Sequence, residues 1–84
     1  MGKIMAPRRP RTLMQAHDEL VRIRPSRDAS LTVWLEYYHD SVSLYELIAE
    51  VDPGHECEAL YWAQRERYRA EQMAIRIRAD RRRK

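Results

Sequence analysis

Eighty-four residues, 44% of them hydrophobic and 35% charged, make one small domain and exclude a disordered polyelectrolyte. No apolar run approaches the ~18 residues that cross a membrane. The net charge of +3 conceals a pattern: Lys3, Arg8, Arg9 and Arg11 begin the chain, Arg81, Arg82, Arg83 and Lys84 end it, and the body between holds all 13 acids.

The body is therefore mildly acidic, and the basic character belongs to the two ends. A chain of this length buries only ~60% of its unfolded surface, so a partner or self-association would complete its core. Cys57 is the single cysteine. It forms no internal disulfide framework and suits a reducing, cytoplasmic setting. Arginine outnumbers lysine 14 to 2, which fits fork-shaped phosphate recognition as well as plain compositional bias.

Residues 1–11 read as a flexible basic arm. Pro7 and Pro10 stand where a secretory leader would have its apolar core. Thr12 and Gln15 then form a Thr-x-x-Gln capping box. Leu13, Ala16, Leu20 and Ile23 follow on one helical face, and Pro25 stops the chain from continuing. The spacing predicts a first helix over Leu13–Ile23.

Asp28 or Ser30 can cap a second helix over residues 29–51. Leu31, Leu35, Tyr38, Val42, Tyr45 and Ala49 step 4-3-4-3-4 along it. Val33, Tyr37, Asp40, Leu44, Leu47 and Val51 repeat that step on nearly the opposite side. Trp34 and Ile48 lie in the arc between them, and Glu36, His39, Ser43, Glu46 and Glu50 form a narrow polar strip. A helix apolar over so much of its circumference needs neighbours on at least two sides.

Asp52-Pro53-Gly54 is the turn. Asp52 suits an N-cap and Pro53 a first helical position, so a third helix is expected over residues 53–80. Leu60, Ala63, Ala70, Ala74 and Ile77 share a stripe interrupted by Arg67. Folding back at Pro53 sets Leu44 near Ala63, Tyr37 near Ala70 and Val33 near Ala74, large against small. Arg67–Glu71 and Arg76–Asp80 have the spacing of helical ion pairs. The expected fold is all-α. A long antiparallel hairpin (29–51 and 53–80) carries a short N-terminal helix (13–23), in a single domain over 12–80 flanked by the arm and a basic tail over 81–84.

The third helix has another line, Cys57, Tyr61, Gln64, Tyr68, Glu71 and Ile75. It is either a flank covered by the first helix or a contact surface for a partner, since Tyr and Trp favour interfaces. Tyr61, Trp62 and Tyr68 are the candidate contact residues, with Tyr38 and Tyr45 as alternates. Glu36, His39 and Ser43 resemble an acid–base–hydroxyl set but lie on a strip without a pocket. His55 and Cys57 are too few for a zinc site. No catalytic residue, metal or cofactor is expected, and no small-molecule substrate. Arg8, Arg9, Arg11, Arg81, Arg82, Arg83 and Lys84 could neutralise phosphates without sequence preference, while the second helix, which carries acids and no Lys or Arg, would be repelled from a groove.

Leu44–Pro53, continuing through Glu58-Ala59-Leu60-Tyr61, resembles the junction between tetratricopeptide repeats, where a helix ends in Asp-Pro and hands over to the next. Ser41 and Ile48 depart from that pattern, and 84 residues cannot hold three such repeats. Trp34-Leu35-Glu36-Tyr37-Tyr38 together with Glu58-Ala59-Leu60-Tyr61-Trp62-Ala63 resembles short, uncharacterised proteins of high-G+C actinobacteria. This resemblance implies a cytoplasmic bacterial protein and transfers no functional residue. The expected function is a non-enzymatic helical module that binds another protein or itself. The alternative is a nucleic-acid-associated accessory protein working through its arginine-rich ends.

Overall fold

A computed structural model describes residues 9–82 and contains three α-helices. α1 spans Leu13–Arg22, α2 spans Leu31–Val51 and α3 spans Glu56–Arg82. The two long helices pack against each other and α1 lies across α2. Thr12 caps α1, its hydroxyl accepting from Gln15 N–H at 3.1 Å. The expected capping box is displaced by one residue, because the Gln15 amide oxygen accepts from Arg11 N–H instead of Thr12 N–H. Ser30, not Asp28, caps α2 through Val33 N–H.

The turn departs from expectation. Asp52 is the C-cap of α2, and Pro53-Gly54 form a turn closed by His55 N–H on the Asp52 carbonyl. α3 begins three residues later than expected, where Glu56 and Glu58 complement the positive end of the helix dipole. It also continues through Arg81 and Arg82, two residues that the sequence assigns to a tail.

The register of the hairpin is the expected one. Tyr45 stacks on Trp62 with ring centroids 6.1 Å apart. Tyr38 shares a recess with Arg69 and Met73, and Leu31 shares one with Ile77. Ala63 and Ala70 are buried, so the close approach of large to small is present. Leu60, however, is 47% exposed. The inner line of α3 is Ala59, Ala63, Glu66 and Ala70, one position away from the stripe that includes Leu60 and Arg67. Arg67 reaches across to Glu46 on α2, and the expected Arg67–Glu71 and Arg76–Asp80 pairs do not form.

On α2 the deepest residues are Ser41, Val42, Tyr45 and Ile48, which lie in or beside the arc joining the two seams. Apart from Val42 and Tyr45 the first seam is half-buried, and so is the second except for Val33 and Asp40, which are exposed. α3 and α1 therefore pack on adjacent sides of α2, not opposite ones. The result is a thin plate, 46 × 37 × 18 Å, with a radius of gyration of 15.0 Å; a compact chain of this length would measure about 12 Å. No helix among the described residues is long and apolar enough to cross a membrane.

Ile48 is fully buried, whereas Leu60 is half-exposed. Ile48→Ala is expected to cost about 2–5 kcal/mol through lost contacts and a cavity. Leu60→Ala should cost less than about 1 kcal/mol. Urea unfolding monitored by circular dichroism measures both, and equal losses would contradict this arrangement.

Candidate functional site

α1 is too short to hold itself as a helix in water, and α2 secures it at both ends. The Asp52 carboxylate accepts the Leu13 N–H at 2.8 Å, satisfying a donor that the first turn of α1 leaves free. At the other end Tyr37 Oη donates to the Leu20 carbonyl at 2.8 Å. Between them His17 Nδ1 shares a 2.7 Å hydrogen bond with Tyr45 Oη, and the imidazole packs edge-on against Trp62 at 5.1 Å. α1 thus runs antiparallel to α2, with Leu13, Ala16 and Leu20 facing the core.

A cleft of about 160 Å³ opens where the three helices meet. His17 and Arg24 line it from the α1 side, Trp34, Tyr37 and Tyr45 from α2, and Trp62 and Glu66 from α3. Glu66 is only 8% exposed. Its nearest cation is Arg69 at 4.0 Å, one turn along the same helix. Burial pushes the Tyr45 phenol up to about 12, and the Glu66 charge adds to that shift. The Tyr37 phenol is raised by the same two causes. Both phenols serve as hydrogen-bond groups that position α1. At this volume the cleft falls below the ~300–1,000 Å³ of small-molecule sites.

The five candidate contact residues separate into distinct groups. Tyr61 and Tyr68 stand outward, 61% and 62% exposed. Trp62 is half-buried, its ring under Arg65 and against His17, Tyr45 and Tyr61. Tyr38 is half-buried against Trp34 and Tyr37. Tyr45 is 4% exposed and belongs to the core, so it offers no surface to a partner. The whole line Cys57, Tyr61, Gln64, Tyr68, Glu71, Ile75 is exposed. α1 does not cover it, because His17 docks on the Trp62 side of α3 instead.

Glu36, His39 and Ser43 are all exposed on α2. His55 turns toward Asp52 at 3.1 Å and Glu58 at 3.9 Å, while Cys57 is exposed. Among the described residues no group of three or more His, Cys, Asp or Glu is placed to hold a metal ion. Arg9 and Arg11 are exposed at the turn end of the hairpin, where α1 begins. Arg81 and Arg82 are exposed on the last turn of α3, roughly 40 Å away along that helix. Arg8, Arg83 and Lys84 lie outside the described residues. No family model matches the chain, and neither does any curated protein or solved structure.

The residues that sequence reasoning passed over are Asp52 as the anchor of α1, His17 as its docking group and Glu66 in the seam. The 4-3-4 spacing Ala59, Ala63, Glu66, Ala70 was a signal for the last of these. The long-range partners of Asp52 and His17 left no local signal.

Leu13 N–H and His55 together hold the Asp52 carboxyl below its ordinary value, and Asp52 raises the His55 imidazole. The Asp52 contribution is present above the ordinary carboxylate range and is lost as pH falls through its depressed value. The His55 contribution is complete below the ordinary imidazole value and is lost as pH rises through its elevated one. Asp52→Asn should therefore lower helicity and melting temperature at neutral pH. His55→Ala should reduce stability at mildly acidic pH and leave it nearly unchanged at alkaline pH. Thermal melts of the three proteins across pH check this, and identical curves would refute the Asp52 anchor.

Proposed function

We propose that the chain is a non-enzymatic helical module that docks a protein through the outer face of α3. The observation that carries this reading is the exposed row of Tyr61, Tyr68 and Ile75, with Leu60 beside it. Tyr61, Tyr68 and Ile75 stand on the side of the helix opposite its buried alanines, and Leu60 lies on the flank between. Tyrosine supplies a large amphipathic contact area at low entropic cost and is enriched at interfaces. Trp62, held beneath Tyr61 and Arg65, stiffens one end of the row. A reducing cytoplasmic setting fits the exposed thiol of Cys57.

The reading based on the arginine-rich ends has weaker support. Of the candidate phosphate-binding arginines that are described, Arg9 and Arg11 lie at one end of the hairpin and Arg81 and Arg82 at the other, with an acid-bearing α2 between them.

Replacing Tyr68 with a photo-reactive phenylalanine analogue in the producing cell tests the docking surface. Irradiation should give covalent adducts to protein at position 68. The same analogue at Glu36, on the polar strip of α2, should give none. Absence of adducts at both Tyr68 and Tyr61 would refute the reading.

A further inference from the structure

This inference rests on the reading of the outer face of α3 as a docking surface and names its occupant. We propose that the partner is a second copy of this chain, with two α3 helices antiparallel and centred on Tyr68. Three features of the face point there.

The first is its apolar pattern. Under a two-fold axis through Tyr68, positions equidistant from that residue meet. Tyr68 then meets Tyr68, and Tyr61 meets Ile75 of the second copy. The bulky exposed groups fall on each other, so one face serves both copies.

The second is the direction of charge. α3 is acidic in its first turn, at Glu56 and Glu58, and basic toward its end, at Arg76, Arg78, Arg81 and Arg82. Parallel helices would bring like charges together. Antiparallel helices bring the acidic start of each against the basic end of the other, which selects orientation even where single exposed pairs add little energy.

The third is the arrangement of the flanks. In an antiparallel two-fold pair each flank meets the same flank of the other helix. At 100° per residue, Glu58 and Arg76 share one flank, while Glu56, Arg67, Glu71 and Arg78 share the other. Within two residues of true register Glu58 faces Arg76 of the second copy and Glu56 faces Arg78, while near the axis Arg67 faces both Glu71 and Arg67 of the second copy. All six side chains are exposed. Arg67 already touches Glu46 on its own α2, so Glu71 of the second copy would extend that pair into a three-charge network.

The exposed thiol makes the geometry testable. Cys57 lies on the proposed seam. Antiparallel pairing separates the two Cys57 residues by about 33 Å along the axis, at 1.5 Å per residue, and sets each beside Ala79 of the other copy. Sedimentation of the full chain should give a species of twice the chain mass. Tyr61→Glu combined with Tyr68→Glu should halve that mass with helicity unchanged. Mild oxidation of Ala79→Cys should yield a disulfide-linked dimer, and the parent chain under the same conditions should not. A parent chain that is monomeric at all concentrations overturns the proposal, as does a Cys57–Cys57 link in the unmodified dimer. If the chain is monomeric while position 68 still forms photo-adducts, self-association falls and the docking surface stands with a different partner. If neither occurs, both fall.

Discussion

The fold depends on one close approach. α3 presents Ala59, Ala63 and Ala70 to its neighbour, all nearly or fully buried. Methyl side chains let two helix backbones come near each other but bury little area. The bulk of the core must then come from α2 and α1, through Ile48, Tyr45, Leu13 and Leu20. This division explains why α2 is apolar over so much of its circumference and α3 is not. It also explains why the large apolar groups of α3, Tyr61, Tyr68 and Ile75, stand outside: the inner line has no room for them.

Glu66 sits in that same inner line, between Ala63 and Ala70. A carboxylate held there gains only a distant ion pair with Arg69 and no hydrogen bond among the described residues. Burial raises the phenols of Tyr37 and Tyr45, and the negative charge of Glu66 nearby adds to that shift. Those two hydroxyls position α1, so the seam of the hairpin and the docking of the first helix are electrostatically linked. Asp52 completes the arrangement from the opposite end, where one carboxylate joins the turn, α1 and His55.

What the sequence revealed follows from periodicity. The three helices, the antiparallel hairpin and its register were legible because 4-3 spacings and a proline-glycine turn are local signals. The start of α3 was not. Asp52 followed by Pro53 has the local chemistry of an N-cap, but the distant N–H of Leu13 and the imidazole of His55 engage its side chain instead. The inner stripe of α3 was displaced because Leu60 outweighs Ala59 in hydrophobicity, whereas in the structure small size, not hydrophobicity, decides which residue faces α2. Tyr45 read as a contact residue for a similar reason. Its hydroxyl suggested an interface, but His17, twenty-eight positions earlier, satisfies that hydroxyl inside the core. Tyr61 and Tyr68 were legible as outward groups because their line repeats through the helix without meeting a partner line in the chain.

The account stands or falls on the tightness of the alanine contact. Introducing leucine at Ala63 and at Ala70 measures it most directly, since leucine and alanine are both good helix formers and differ here mainly in volume. Chemical denaturation should show each substitution to be destabilising by about 1–3 kcal/mol, as expected when extra methylenes are forced between packed helices. Unchanged or increased stability in both variants would mean that α2 and α3 are not in close contact along this line.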